Sequence, residues 1–527
     1  MELTLNNLAV PVEQDGMAAY AKAAACRLGI DPDGVVVLKI LSKTLDIRDL
    51  GQFYYQLSIV VQTPEGYANP HQFPVYQATV EAVRPKKAAT ERPIIVGFGP
   101  AGMFAALELI EHGLRPIIFE RGKRIEERTV DVRRFIAVGE LHPESNIQFG
   151  EGGAGSYSDG KLFSRRDSNT SSVNRVLHTL VRFGAPAEIE YIGKPHLGTD
   201  VLCRIVANIR EYILGKGGEI HYSARMTDLV IADDRAVGIV VNNTSEHLAS
   251  RIYIALGHSA RDTMQMLHAR GVALEQRPIA VGVRIEHPAA VVNRMRYGSK
   301  YHDFQGLGAA TYSLNHTNQK IRRGVYTFCM CPGGEVVNAS SSEGLLVVNG
   351  MSYSRRDSPF SNAALVVSCR PEDYPSASPL AGLAFQEAIE RKAFCAGGGA
   401  WAVPAQNLLH FLGESSDVGI GENSYQMGAV GADMHDVLPA FVTKELHVAF
   451  ARWRNDLPLF VSDQALLLGA ETRTSSPVRI RRNERYESVN VQNLYPIGEG
   501  SGYTGGITSS AADAIRAVSL HMAEASR

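Results

Sequence analysis

Three glycines spaced G-x-G-x-x-G, at Gly97, Gly99 and Gly102, stand between an apolar strand-like run and a helix-like run. A carboxylate, Glu120, ends the next apolar run 23 residues after Gly97. The spacing suits a dinucleotide. Gly97 permits the tight turn, Gly99 lets a pyrophosphate approach the backbone, and Gly102 lets the helix pack close to the sheet. With Pro100 and Ala101 they put free N–H groups at the positive end of a helix. Glu120 is placed to accept hydrogen bonds from a ribose, with Arg121 beside it. A second glycine turn, Gly498-Glu499-Gly500 followed by Gly505 and Gly506, precedes a helix-like run that starts near Ile507 and Thr508. The segment FGEGGAGSYSDGKL is too glycine-dense for regular structure. It reads as a loop wrapped along the ligand, through Gly152, Gly153, Ala154, Gly155, Ser158, Asp159, Gly160 and Lys161.

Other residues carry reactive groups. ETRTSSPVRIRR (residues 471–482) precedes the last glycine turn. There Glu471 and Arg473 are candidates to bind a polar substrate or move a proton, with Thr474, Ser475 and Ser476 as hydrogen-bond partners. Their alternative role is a salt bridge at a domain junction. Cys329 and Cys331 form C-x-C in TFCMCPGGEVV. On a regular strand, residues i and i+2 share a face, so the thiols are expected side by side. They read either as a redox pair or as ordinary buried cysteines. Cys26, Cys203, Cys369 and Cys395 lack partner spacing and read as core residues. His196, His258 and His435 are isolated and read as structural, although His258 abuts a dinucleotide turn. No cluster of His, Cys, Asp or Glu has metal-ligand spacing.

The elements that must position these residues fall into units. A chain of 527 residues exceeds one ordinary core. Residues 1–80 alternate strand, helix and two strands, a small α/β unit. Residues 81–92 are charged and proline-bearing, a linker. Residues 93–261 alternate strands and helices, which predicts a parallel sheet. Residues 262–470 are mixed, with isolated strand runs such as IAVGVRIE and LLVVNGM. Residues 471–527 return to glycine turns and an alanine-rich helix. A net charge of −2 gives no general reason to expect nucleic acid or membrane binding. The Met1 end has no basic n-region, no run approaches the ~18 apolar residues of a membrane helix, and six cysteines make no disulfide framework. A cytoplasmic protein acting on a small molecule is expected.

The C-terminal turn, YPIGEGSGYTGGITSSAADAI, resembles the motif of two-dinucleotide-domain FAD proteins. In these a Gly-Asp or Gly-Glu pair meets the ribityl phosphate, and a helix start faces the flavin pyrimidine edge. Reduced flavin carries negative charge there, which a helix N-terminus stabilises. RIYIALGHSAR (Ala255, Gly257, His258) resembles the closing strand and turn of that fold, and the backbone near Met226 is expected at adenine. VGFGPAGMFAAL, FGEGGAGSYSDGKL, ALGHSARD, FCMCPGGEVV, VPAQNLLHFL and ETRTSSPVRI extend the match nearly end to end. The chain is similar to the bacterial FAD-dependent dehydrogenase / NAD(P)/FAD-dependent oxidoreductase proteins. Two departures are minor: Ser501 stands where alanine is common in that family, and Ala514 where glycine is. The resemblance implies an α/β protein. It would have a Rossmann-like, glutathione-reductase-like FAD-binding domain, an inserted mixed α+β substrate domain and a small N-terminal α/β domain.

The expected activity is hydride exchange between flavin N5 and a small organic substrate, as in a dehydrogenase or reductase. No second G-x-G-x-x-G follows a strand, so NAD(P)H, as a transient donor, must visit the flavin directly. Two alternatives stand beside this. One is a disulfide reductase using Cys329 and Cys331. The other is a flavin-bearing binding protein whose residues 1–80 meet RNA or protein through the Lys43–Arg48 loop and Arg84, Lys86 and Lys87.

Overall fold

The computed structural model describes residues 1–77, 91–162 and 171–524. The linker therefore falls almost wholly outside the described residues, and Arg84, Lys86 and Lys87 with it. The protein is mixed α/β with several sheets.

The N-terminal unit is antiparallel. Its strands β1 (Glu2–Pro11), β2 (Val36–Asp46) and β3 (Tyr54–Gln62) pair in the order β1-β3-β2, and the helix Met17–Leu28 covers one face. Alternation along β1, reset by a bulge between Leu5 and Leu8, sends Leu3, Leu5, Leu8 and Val10 into that core. The unit is seated on the rest of the chain. Phe53 stacks on Tyr301 with ring centroids 4.3 Å apart, and Lys43 N–H donates to the Tyr191 carbonyl at 2.7 Å. Lys43 is ion-paired to Asp15 at 2.6 Å and Arg48 to Asp46 at 2.6 Å, so both cations of the proposed partner loop have local counter-charges.

The second unit is built on short parallel strands: β4 (Ile94–Val96), β5 (Ile117–Phe119) and β6 (Glu219–His221). A three-stranded antiparallel sheet follows, β7 (Met226–Ala232), β8 (Arg235–Val241) and β9 (Ser245–Leu248). Strand β10 (Ile252–Ile254) then returns beside β4. The sequence places the next boundary after residue 261, but the structure moves it. The helix Arg261–Ala269 puts Met264 and Leu267 into the same core as Ile94, Val96 and Ile252. Strand β11 (Leu274–Gln276) follows on that side. Apolar periodicity locates the helix but not the neighbour it packs against.

The large sheet begins with β12 (Ile279–Pro288), in which nine of ten residues are buried. Then come β13 (Asn315–Asn318), β14 (Arg323–Cys331), the hairpin β15 (Glu335–Asn338) and β16 (Val348–Met351), β17 (Phe360–Cys369), β18 (Val403–Asn407), β19 (Ala429–Gly431) and β20 (Leu466–Glu471). The seven-stranded order is β13-β14-β17-β12-β20-β18-β19, antiparallel except for the β18–β19 pair. Helices such as Ala381–Ala396 and Ala440–Asp456 complete its core. Finally β21 (Val478–Ile480) pairs with β11, and β22 (Leu494–Pro496) joins the parallel sheet beside β10. That sheet reads β22-β10-β4-β5-β6, so the far end of the chain completes the sheet begun at Ile94.

Two of the cysteines expected in the core are elsewhere. Cys369 is buried and Cys203 partly so, but Cys26 and Cys395 are exposed. Each exposed one sits on the outer side of an amphipathic helix, where cysteine substitutes for any small residue. No helix among the described residues is long and apolar enough to cross a membrane.

Candidate active site

Strand β4 ends at Val96 and the helix Pro100–Glu111 starts four residues later, with Gly97 in the turn between them. A Cβ on Gly102 would lie 2.0 Å from the Gly97 carbonyl oxygen, so only glycine lets the helix close on the strand. The helix's unpaired N–H groups face a cavity lined by Gly97, Gly99, Pro100 and Ala101. Glu120 borders the same cavity. Its oxygens accept backbone N–H groups of Phe98 at 2.8 Å, Gly122 at 2.9 Å and Gly150 at 3.0 Å. Three donors leave about one of the carboxylate's roughly four lone-pair sites for a ribose hydroxyl. Arg121 lies over the Phe149 ring at 3.9 Å and is paired to Glu144 at 2.7 Å.

The loop after Phe149 takes its shape from a residue the sequence reading overlooked. Arg128 is fully buried and donates to five carbonyls, those of Asn146, Ile147, Gly150, Glu151 and Gly153, at 2.7–3.2 Å. Among the described residues no carboxylate forms an ion pair with it, and burial pulls its guanidinium below the ordinary arginine range. A signal was present: Ile125, Arg128, Val132 and Phe135 share the buried helical stripe. Arg128 thus holds Gly153, Ala154 and Gly155 against the cavity, with Ser158, Gly160 and Lys161 beyond them.

The C-terminal turn arrives opposite. The helix Ile507–Glu524 packs along Pro100–Glu111 in one core, and its start, Gly505-Gly506-Ile507, faces the same cavity. Gly506 has φ +85°, and a Cβ there would meet no protein atom within 4 Å. The room beside it is the kind a bound ligand fills. Ala255, Gly257, His258, Met226 and Glu499 complete this stretch; His258 Nδ1 is 3.7 Å from Glu499 and its buried Nε2 has no hydrogen-bond partner among the described residues.

Seven expected contacts stand behind the wall and brace it. Gly102 and Gly152 fix turns, and the Gly152 N–H donates to the Phe98 carbonyl at 2.8 Å. The Gly498 N–H donates to Asp513 at 3.0 Å, Gly500 abuts Gly257, and the Thr508 hydroxyl donates to the Leu162 carbonyl at 2.9 Å. Asp159 is buried between Lys161 at 2.7 Å and Arg356 at 2.5 Å, and those cations hold its carboxyl below the usual range against burial. Cys331 is buried behind Cys329.

The large sheet closes the far end with Phe328, Cys329, Asn349, Glu471, Arg473 and Thr474. Arg473 lies on that wall with most of its donors already engaged. It is 6% exposed and spends its donors on Glu390 at 3.0 and 3.1 Å, Ser341 at 2.9 Å and Ser259 at 3.2 Å. Glu390 also accepts from Arg261 at 2.9 Å and Thr472 at 2.7 Å. Burial opposes its ionisation, but the two arginines hold its carboxyl down at about 2. Thr474 is likewise engaged with the Ala280 backbone, at 2.9 Å.

Glu471 is different. Arg284, the lone cation in doubly buried β12, reaches it at 3.3 Å, a single long contact. Most of Arg284's donors go to Asn362 at 2.6 Å and to the Cys329 carbonyl at 2.8 Å. Burial therefore prevails and pushes the Glu471 carboxyl up to about 7, with the Cys329 sulfur adding to the rise. His196, beside this region, is pulled down to about 4 by burial and stays neutral. His435 is an exposed residue paired to Asp433 at 2.7 Å.

Two helix starts converge on one cavity, with a buried carboxylate and further titratable groups along its wall, in a protein of mixed α/β architecture. Residues 278–474 match the family described as FAD-dependent protein, C-terminal domain-like. The chain is 39% identical to an uncharacterized protein of Clostridium beijerinckii, covering 99% of each, and belongs to that protein's family. Solved structures give looser likenesses. CtdE in complex with FAD is 11% identical, covering 81% of this chain and 82% of that one, with a TM-score of 0.31. The flavin-dependent brominase Bmp2 is 13% identical over 82% and 79%, with a TM-score of 0.36. Such superpositions are too loose to transfer a site. The FAD assignment rests on the family and on the cradle described above.

Proposed function

We propose that the protein is an FAD-dependent oxidoreductase that exchanges a hydride with a small organic substrate at the end of the cavity lined by Phe328, Asn349 and Glu471. Bound FAD would supply the two-electron chemistry. The adenosine half fits between Glu120 and Met226, the pyrophosphate at the helix start after Gly99, and the ring system at Gly505–Ile507 and Lys161.

The observation that carries this reading is the continuity of the cavity from the first glycine turn to the wall of the large sheet. Hydride exchange needs orientation and exclusion of water more than it needs a titrating group. Phe328, 43% exposed, offers an apolar face for a substrate. Glu471, with its carboxyl near 7, is placed to hold or release a proton at neutral pH. The start of the helix Ile507–Glu524 and Lys161 favour negative charge at the ring edge.

The test is anaerobic mixing of the FAD-loaded protein with NADH and with NADPH, followed by screening of electron acceptors and donors. Bleaching of the flavin by either nicotinamide marks a reductase fed from solution. Bleaching only by an organic substrate marks a dehydrogenase. Purified protein that is colourless and takes up no FAD would end the proposal.

A further inference from the structure

Cys329 and Cys331 stand at the flavin end of the cavity without a part in that reading. Strand β14 is bulged there: Phe328 pairs with Ala364 and Cys331 with Asn362, so Cys329 and Met330 stand opposite the single residue Ala363. The regular i, i+2 alternation expected from sequence is therefore broken. Cys329 takes φ +43°, a strained left-handed conformation rare outside glycine. The distortion turns Cys329 onto the cavity wall and keeps Cys331 directly behind it, its thiol donating to the Cys329 carbonyl at 3.4 Å. Arg284 locks the pair, reaching the Cys329 carbonyl at 2.8 Å and the Cys331 sulfur at 3.6 Å.

The chain contains its own comparison. Burial pushes the Cys369 thiol up to about 12 and the Cys203 thiol up to about 11, the behaviour of structural cysteines. Cys329 goes the other way. The neighbouring Cys331 thiol and the positive charge of Lys161 and Arg284 push the Cys329 thiol down, whereas Cys329 and burial push the Cys331 thiol up.

We infer that Cys329 and Cys331 form a redox-active dithiol that exchanges an electron pair with the bound flavin. The inference rests on the FAD reading above. The balance is simple. The Cys329 thiolate and the Cys331 thiol form one S–S bond, the Cys331 S–H bond breaks, and two electrons with that proton pass to oxidised flavin. The reverse step spends reduced flavin and restores the thiolate and the thiol. Cys329 faces the flavin and Cys331 resolves the bond.

The test is anaerobic dithionite titration of the FAD-loaded protein after oxidation with ferricyanide. Wild type is expected to take a second pair of electrons per flavin, and the Cys329→Ser/Cys331→Ser variant a single pair. Denatured under each condition, wild type should show all six thiols when reduced and two fewer when oxidised. Part-way through the titration, a long-wavelength band from thiolate against oxidised flavin should appear, and Cys329→Ser should abolish it with its yellow colour intact. A yellow wild type that takes a single pair and keeps a constant thiol count overturns the relay alone. A protein that binds no FAD overturns the functional reading and the relay together. Should the variants fail to fold, the wild-type electron and thiol counts decide unaided.

Discussion

Replacing Glu471 by Gln removes one proton site from the buried wall of the cavity and keeps its shape. The side chain is 2% exposed, and its carboxyl rises from 4.5 to about 7 because burial outweighs the 3.3 Å contact with Arg284. At about 1.4 kcal/mol per pH unit, that rise corresponds to roughly 3 kcal/mol. A group whose folded-state value is raised gives stability that is complete below its unfolded value and is lost as pH climbs through the folded one. Wild type should therefore lose roughly 3 kcal/mol relative to Glu471→Gln between pH 4.5 and about 7, with no further divergence above. Urea unfolding of both FAD-loaded proteins at intervals from pH 4 to pH 8.5 measures the difference. Parallel curves across that range would show that the carboxyl ionises as freely in the fold as in water, and the burial argument would fall. If Glu471 also handles the substrate proton, the wild-type rate carries an inflection near neutrality that the glutamine variant lacks.

The other expectations probe the cradle and the clamp. Arg473→Ala leaves buried Glu390 with Arg261 as its remaining cation, which should cost roughly 3–5 kcal/mol in urea unfolding, whereas Arg473→Met with Glu390→Leu should recover most of it. Glu390, depressed to about 2, stabilises the fold fully above its unfolded value near 4.5 and loses that contribution as pH falls towards 2, so acid unfolding of wild type should steepen there. Gly102→Ala forces a methyl to 2.0 Å from the Gly97 carbonyl and should destabilise the fold by about 1–3 kcal/mol with loss of FAD, seen together in melting and in flavin absorbance. Gly506→Ala meets no protein atom within 4 Å, so its unfolding should shift by only about 1 kcal/mol of backbone strain while FAD affinity falls at least about tenfold by fluorescence titration; equal losses of both would argue against a ligand at Gly506.

The glycine turns that line the cavity were legible in the sequence because turn chemistry is local. Gly97, Gly99 and Gly102 specify a backbone path within six residues, and Glu120 follows at the distance one helix and one strand impose. The strands of the N-terminal unit were legible as apolar runs, whereas the bulges in their pairing were not. Other features were decided only by tertiary structure. Glu471 and Arg473 are two residues apart on the chain and share a sequence environment. Yet Arg473 meets Glu390 in a buried network, whereas Glu471 meets a guanidinium already engaged elsewhere and its carboxyl is pushed up to about 7. Cys329 reaches the cavity only because a bulge overrides strand alternation, and Arg128 shapes a loop that begins 18 residues beyond it. The sequence by itself determined where the backbone turns and which faces are apolar. The assembled core decided which charges lose their water and which partners remain to them, because desolvation acts only once distant segments have closed around a side chain.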